Sequence, residues 1–488
     1  MGVVSRVIDS DGETIITTSR LVQEVFVIPN NNDYIIYVPL KGSALLVNQS
    51  FVQKLSEFSK KVDVLKVEDT AFFHQILSMG LIEETSNNKD TVQNNSFSIE
   101  DALRPTHIIV FTADYCNLAC KYCFASSGNQ RTRHLDPKMI KSAIRLIIDN
   151  ALEKGEHECS IAFHGGGEPT LEFQFIKMCI EYANDYSRQR CNSRVNIVPG
   201  IVTNGMITKD QTNWLAKNMN NIQVSFDGLP EIQNDQRPLI NGKTTSDHVL
   251  SVIQELTSKN VPHIITKSTV TNKYSHRMGD MARFLCENVN IERFHFGPAL
   301  NFGRTQITGY CEPRAEDFIK GAIEAQRIAE GYGKKVIVSL AQETFPNVRN
   351  SFCGLNSPNF GITLDGRVSA CFEVISPTDK RAERFYYGQY TAESESFTFD
   401  KQKIEEIMAS NVRGLSRCKN CYAKWQCAGD CQARWSVSDN GSDEQNNQDF
   451  RCLINRALLK HEIIKSLNKS ENDLEIKNVS VSAENVCV

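Results

Sequence analysis

No run of eighteen or more apolar residues occurs in this chain, and its start, Met1-Gly2-Val3-Val4-Ser5-Arg6, carries no sign of a signal peptide. A membrane span needs roughly twenty apolar residues in a row. The expectation is a protein that works in the cytosol without a membrane, and Gly2 alone does not argue for myristoylation. An excess of base is missing as well. The 54 Lys and Arg against 58 Asp and Glu leave a formal net charge of −4, so nucleic acid finds no electrostatic footprint. What remains is an ordinary soluble composition, 41% hydrophobic and 23% charged, in 488 residues. That length is enough for roughly two to four domains, each with its own core.

Cysteine, in contrast, is plentiful. Sixteen cysteines would frame disulfides in a small secreted protein, but in a long chain without an export signal clustered cysteines read as metal ligands. Ten fall into tight spacings, while Cys159, Cys179, Cys191, Cys286, Cys311 and Cys487 are scattered and read as small buried hydrophobes or incidental thiols. The most informative spacing is C-x3-C-x2-C at Cys116, Cys120 and Cys123, directly after the apolar stretch 107–112. Three thiolates in one tight loop can hold three irons of a cubane cluster, which ordinarily takes four cysteines. One iron is then left for another ligand, and the chemistry is expected there.

Residues 1–85 read as a small α+β unit. Strand-like stretches at 24–28 and 34–38 flank the turn Asn30-Asn31-Asn32-Asp33, and helical periodicity follows at 49–60 and 70–79 before Gly80. A linker, largely polar and rich in Asn and Ser, is expected over 86–104. From 105 to 310 strands and helices alternate. The strands fall at 107–112, 159–164, 195–203, 221–226, 263–271 and 292–297, with helices such as 138–153, 172–188 and 247–259 between them. Six βα repeats predict a parallel sheet with outer helices and an active site at the carboxyl ends of the strands. The three-cysteine loop follows the first strand and belongs on that face. Residues 311–350 contribute a bridging helix, 314–330, stopped by Gly331. A cysteine-rich region, 351–455, and a C-terminal helix with a loose tail, 456–488, complete the layout.

The Cys116-Cys120-Cys123 loop, with Tyr122 before its last cysteine, resembles the defining motif of the radical S-adenosylmethionine (SAM) enzymes. Further elements follow in the family's order. Gly165-Gly166-Gly167-Glu168-Pro169 follows the second strand as the GGE motif does, and Thr203-Asn204-Gly205 ends the third. Ser225-Phe226-Asp227-Gly228 ends the fourth, with Arg237 beyond it. Glycines at strand ends also serve tight turns, but here they stand in register with the βα repeat. The resemblance implies a partial (β/α)6 barrel and a SAM-binding 4Fe–4S cluster on the three cysteines. It also implies that Tyr122, Gly166, Gly167, Glu168, Ser225 and Arg237 hold SAM, the GGE segment on the methionine amino group, the serine and arginine on the carboxylate and ribose. An electron from that cluster would cleave SAM to a 5′-deoxyadenosyl radical, which abstracts hydrogen from an unactivated carbon.

Cys353, Cys371, Cys418, Cys421, Cys427, Cys431 and Cys452 resemble the seven-cysteine SPASM pattern, which in relatives houses two auxiliary 4Fe–4S clusters. The resemblance assigns Cys418, Cys421, Cys427 and Cys452 to one cluster and Cys353, Cys371 and Cys431 to the other. Structural zinc is the alternative for C-x2-C pairs. The anaerobic sulfatase-maturing enzymes carry a further cysteine where this chain has Pro358-Asn359-Phe360. They also carry an aspartate as proton acceptor where this chain has Phe372, with Glu373 next. The three-cysteine set is thus expected to leave an iron open to a substrate thiolate or to recruit another ligand. Glu373, His164 and His295 are the candidates for accepting a proton.

Residues 1–85 are similar to the winged-helix leader-recognition domains of peptide-modifying radical SAM enzymes, which pair a leader peptide with a sheet edge. The expected protein is therefore an α/β enzyme with an N-terminal winged-helix-like domain and a C-terminal iron–sulfur domain. It would use three 4Fe–4S clusters and SAM, take electrons from a flavodoxin- or ferredoxin-type donor, and bind neither nucleic acid nor membrane. Its expected reaction is an oxidative cross-link in a ribosomal precursor peptide, a thioether first, a C–C or C–O bond next. The alternatives are a sulfatase-maturing oxidase that forms formylglycine and a zinc-stabilised binding protein without enzyme activity.

Overall fold

A computed structural model describes residues 4–8, 14–22, 24–60, 67–84, 98–128, 133, 135–259, 261–338, 344–353, 359–409, 411–435 and 449–473. Most of the expected linker and all of the chain beyond 473 lie outside these residues. The N-terminal part runs β1 (Val4–Ile8), β2 (Thr14–Leu21), β3 (Phe26–Asn30), β4 (Asp33–Val38), β5 (Ser43–Val47), the helices Gln49–Lys60 and Val67–Ser78, and β6 (Ile82–Glu84). These strands form two antiparallel sheets, β1-β2-β6 and β3-β4-β5. Strand β4 is buried on both faces because its alternation serves two cores. Tyr34, Ile36 and Val38 pack with Phe51, Val52 and Leu55 of the first helix. Ile35 and Tyr37 pack with Phe26 and Ile28 against Leu459 and Ile463 of the C-terminal helix Phe450–Asp473. The strand expected at 24–28 begins two residues later, because Glu24 has φ 64°, left-handed backbone that cannot continue a strand.

The six expected parallel strands are β7 (His107–Phe111), β8 (Glu158–His164), β9 (Asn196–Thr203), β10 (Asn221–Ser225), β11 (His263–Val270) and β12 (Arg293–Pro298), paired in that order. Their helices cover one face. In Pro137–Lys154 the apolar positions Ile140, Ala143, Ile144, Ile147, Ile148 and Ala151 recur every three or four residues and bury against Ile108, Val110, Ile161 and Phe163. Alternation then turns Ser160, Ala162 and His164 of β8 to the inner face. Asp136 caps this helix by accepting from the Lys138 N–H, and Gly155 at φ 71° ends it.

The sheet extends past those six strands at both ends. The helix Ala315–Gly331 feeds a seventh parallel strand, β13 (Lys335–Val338). On the other side β14 (Gly361–Ile362) runs parallel to β7, and β15 (Arg367–Ser369), β16 (Tyr386–Thr391) and β17 (Ser396–Phe399) follow antiparallel. The result is one eleven-stranded sheet with β13 and β17 as its edges. The sequence reading missed this extension because β13 has four residues and β14 two, too few to show a period. Its consequence is positional: the segment leading to Cys371 is hydrogen-bonded beside β7, the strand that launches the three-cysteine loop.

Candidate active site

Cys116, Cys120 and Cys123 sit half-buried in the loop beyond β7. Backbone contacts hold the loop: the N–H groups of Cys116, Ala119 and Lys121 donate to the carbonyls of Gly128, Pro238 and Gln236, each at 2.9 Å. Arg304 donates to the carbonyls of Cys120 at 2.8 Å and Ser127 at 2.7 Å. The sulfurs are thereby left to a ligand. Burial pushes the Cys116 thiol up to about 11 and the Cys120 thiol up to about 12, so iron has to displace their protons. Donors of the kind that tune a cluster stand close. The Leu118 N–H is 3.4 Å and Asn204 Nδ2 3.7 Å from Cys116 Sγ, and Arg237 Nη1 is 3.9 Å from Cys120 Sγ.

The glycine segment lies against the same loop. The N–H groups of Gly167 and Glu168 donate to the carbonyls of Ala113 and Tyr115, each at 3.0 Å. A Cβ on Gly167 would lie 1.9 Å from the Tyr115 oxygen, so only glycine permits this approach. Gly167→Ala is expected to push the segment off the loop and weaken SAM binding more than tenfold, about 1.4 kcal/mol. Isothermal titration of SAM into the iron-reconstituted protein measures it. Glu168 is buried; its Oε1 accepts from the Thr170 N–H and hydroxyl and from Thr203 Oγ1, and its Oε2 from the Asn204 N–H. The carboxylate thus ties the segment to the end of β9, and Oε2 keeps a lone pair for a cation.

Asp227 is the residue whose role sequence reasoning missed, although it stands inside a quoted motif. It is fully buried and accepts from Tyr122 Oη at 2.7 Å, Gln236 Nε2 at 2.8 Å and the Thr269 N–H at 2.9 Å. Its Oδ2 also pairs with Arg237 Nε at 3.4 Å, and the Arg237 guanidinium lies 5.3 Å from the centre of the Tyr122 ring. Two of the expected SAM contacts, Tyr122 and Arg237, are therefore one network organised by an acid. The pairing is an ion pair without a hydrogen bond: buried Arg237 Nε has no hydrogen-bond partner. A buried orphan donor beside the three-cysteine loop fits the polar groups of SAM.

Ser225 is half-buried at the end of β10, in register with Lys267 on β11, which in turn faces His295 on β12. Burial, and then the charges of Lys267 and Arg293, lower the pKa of His295. Burial and Lys267 bring His164 down to about 4, so it is neutral near pH 7. His164 Nδ1 is buried without a hydrogen-bond partner, and its ring centre is 5.9 Å from that of Phe372. The next residue, Glu373, pairs with Arg381 at 3.4 Å, and Arg381 also holds Asp379 at 2.8 Å. The three proton-acceptor candidates thus do not form one hydrogen-bonded group. His164 and Glu373 come together around Phe372, while His295 belongs with Lys267.

The C-terminal cysteines separate into two sets. Cys418, Cys421, Cys427 and Cys452 line one cavity, together with Lys424, Asp430 and Asn455. Asn455 Nδ2 donates to Cys427 Sγ at 3.3 Å. Cys353, Cys371 and Cys431 all pack against the main core; burial first, with Cys431 near both, raises the thiols of Cys353 and Cys371, the latter to about 12. Cys427 and Cys431 are only four residues apart, yet Cys427 lines this cavity and Cys431 packs against the main core. Ala428, Gly429 and Asp430 are all left-handed, with φ 54°, 79° and 66°, and reverse the chain between them. Asp430 is fixed there by Arg451, at 2.6 Å. Where the sulfatase-maturing enzymes have another cysteine, Pro358 lies outside the described residues. Asn359 Nδ2 donates to the Ala370 carbonyl at 2.8 Å, and Phe360 is in the core. Among the described residues, no three His, Cys, Asp or Glu side chains converge on a single ion, and no helix is long and apolar enough to cross a membrane.

Residues 110–285 match the radical SAM superfamily, across the strands and loops that carry the three cysteines, the glycine segment and Arg237. This chain is an enzyme with a radical SAM domain. It is 32% identical over 180 residues to protein MJ0907 of Methanocaldococcus jannaschii, which covers 37% of this chain and 58% of that one. With the cysteine-type anaerobic sulfatase-maturating enzyme of Clostridium novyi it shares 25% over 337 residues, 65% of this chain and 85% of the relative. The sporulation killing factor maturation protein SkfB of Bacillus subtilis is 21% identical over 274 residues, covering 56% of this chain and 61% of SkfB. The solved structure of native anSMEcpe with bound AdoMet and Cp18Cys peptide superposes with TM-score 0.60 at 21% identity, covering 75% of this chain and 99% of that one, which shows a shared fold.

Proposed function

We propose that this radical SAM enzyme is a peptide maturase that installs an oxidative cross-link, a thioether above all, in a ribosomal precursor peptide. The observation that carries the reading is the set of Cys353, Cys371 and Cys431. It gathers three thiols, and the neighbouring Asn359 is committed to the Ala370 carbonyl. A 4Fe–4S cluster held there by three thiolates would have one iron open to a substrate thiolate. The similarity to SkfB, a sporulation killing factor maturation protein, supports a peptide substrate.

With a reduced 4Fe–4S cluster and SAM in place, the site supplies a 5′-deoxyadenosyl radical that takes hydrogen from a substrate carbon. The chain's own residues do the rest. Cys116, Cys120 and Cys123 hold the cluster. Gly166 and Gly167 would offer backbone close to the loop, and Glu168 would take the methionine amino group. Ser225 and Arg237 take the carboxylate and ribose, and Tyr122, fixed through Asp227, keeps Arg237 in place. Cys418, Cys421, Cys427 and Cys452 hold a second auxiliary cluster. Four thiols around a cavity suit a cubane better than one zinc, which needs its sulfurs within about 2.3 Å of a point. A flavodoxin- or ferredoxin-type donor supplies the electrons, and residues 1–85 take the leader peptide.

A second reading, formylglycine formation on a sulfatase, is supported by the long overlap with the sulfatase-maturating relatives. Phe372, where those enzymes have an acid, speaks for the first. The test incubates the reconstituted enzyme with SAM, reductant and, in parallel, a short peptide encoded beside its gene and a sulfatase-derived Cys peptide. A peptide two hydrogens lighter, with its thiol closed to alkylation, supports the cross-link. Formylglycine in the sulfatase peptide alone overturns it. Stoichiometric zinc in place of about twelve irons ends both readings.

A further inference from the structure

Lys424 lies in the sequence between Cys421 and Cys427 and lines the cavity of the four cysteines. Its side chain is 8% exposed. Burial raises the thiols of Cys418 and Cys421; Arg417 beside the first, Arg456 beside the second and, more weakly, Lys424 beside both act the other way. The partner of this buried cation comes from the other end of the chain. Glu24 accepts from Lys424 Nζ with one oxygen and from the neighbouring Trp425 Nε1 with the other. It does so from the left-handed backbone, φ 64°, that delays β3. The contact is sealed by Phe26, Ile28, Ile35 and Tyr37, which pack with Ala423, Leu459 and Ile463, with Cys421 and Tyr422 against the same group.

We propose that Glu24 is a positioning residue for the four-cysteine site: the N-terminal part supplies the countercharge to Lys424 and so sets the charge beside the cluster bound there. This rests on the assignment of an auxiliary 4Fe–4S cluster to Cys418, Cys421, Cys427 and Cys452. Among the described residues, Arg417, Asp430 and Asp449 also line that cavity, Arg456 acts on Cys421, and Asp430 is already paired with Arg451. A cluster becomes more negative when it takes an electron, so a nearby cation favours reduction and a nearby anion opposes it. Glu24 cancels Lys424. A peptide that binds the N-terminal part and moves Glu24 unmasks the cation and makes electron entry easier, and the coupling acts in reverse on peptide binding.

The experiment is a potentiometric titration of the full-length, anaerobically reconstituted protein, followed by electron paramagnetic resonance. Cys116→Ala, Cys120→Ala and Cys123→Ala are included in every sample to remove an overlapping signal. Glu24→Gln should raise the midpoint potential of the four-cysteine cluster, and Lys424→Met should lower it. Lys424→Arg should leave it in place, and the Glu24→Gln/Lys424→Met pair should return it towards the parent. A purely structural contact gives no shift, shifts of one sign, or loss of that cluster's iron from Glu24→Gln, and each of these overturns the proposal. The underlying assignment fails separately, if Cys418→Ala with Cys421→Ala leaves the iron content unchanged.

Discussion

Replacing Cys116, Cys120 and Cys123 together by alanine should remove about four irons per chain and reduce SAM cleavage to the uncatalysed background, with the fold retained. The reason lies in how the loop is built. Its path is set by the hydrogen bonds of Cys116, Ala119 and Lys121 to backbone carbonyls and by Arg304 on the carbonyls of Cys120 and Ser127. None of these uses a sulfur. The three thiols are half-buried, so their loss leaves small gaps at the edge of the molecule and no unpaired charge. Iron analysis, turnover to 5′-deoxyadenosine and thermal unfolding check the three parts separately. A variant that keeps its full iron and cleaves SAM would place the radical chemistry elsewhere. One that unfolds would make the loop structural.

Asp227→Ala should cost about 3–5 kcal/mol of stability, because it leaves Arg237 as an unpaired cation in the interior. Asp227 is inaccessible to water and Arg237 nearly so. Burial opposes the Arg237 charge, while the neighbouring Tyr122 and the Asp227 carboxylate favour it. The same change takes the acceptor from Tyr122 Oη and the Thr269 N–H, and one of two from Gln236 Nε2, which also donates to the Thr269 carbonyl. Adding Arg237→Met should recover much of the stability, since removing both charges avoids the stranded one. It should not recover SAM binding. Urea unfolding and SAM titration on the two variants give this pattern or refute it. Equal destabilisation in single and double variants would mean that Asp227 acts through the neutral hydrogen bonds alone.

The α/β repeat and the first cysteine loop were legible in the sequence because each is a local pattern. The six parallel strands answer to period-two apolar runs, the helices to a period near 3.6, and the loop to three cysteines within eight residues. Boundaries shifted mainly where backbone geometry intervened, as at Glu24. The short strands β13 and β14 carried no readable period, so the continuity of the sheet through 361–399 was invisible. Asp227 was quoted without a role because nothing in Ser225-Phe226-Asp227-Gly228 tells which of its polar groups points inward.

Spacing alone pointed to ten cysteines as candidate metal ligands, put the first group after a parallel strand, and carried the resemblance to the radical SAM enzymes. Thiolate count and strand order are properties of sequence. Tertiary structure shows what turns the chain between neighbouring C-terminal cysteines. Cys427 and Cys431 are four residues apart, and the left-handed run Ala428-Gly429-Asp430, pinned by Arg451, reverses the backbone between them. It also decided that Glu24 meets Lys424 across 400 residues. Such pairings depend on a backbone reversal and on the packing of distant elements, and neither is written in the spacing of the residues themselves.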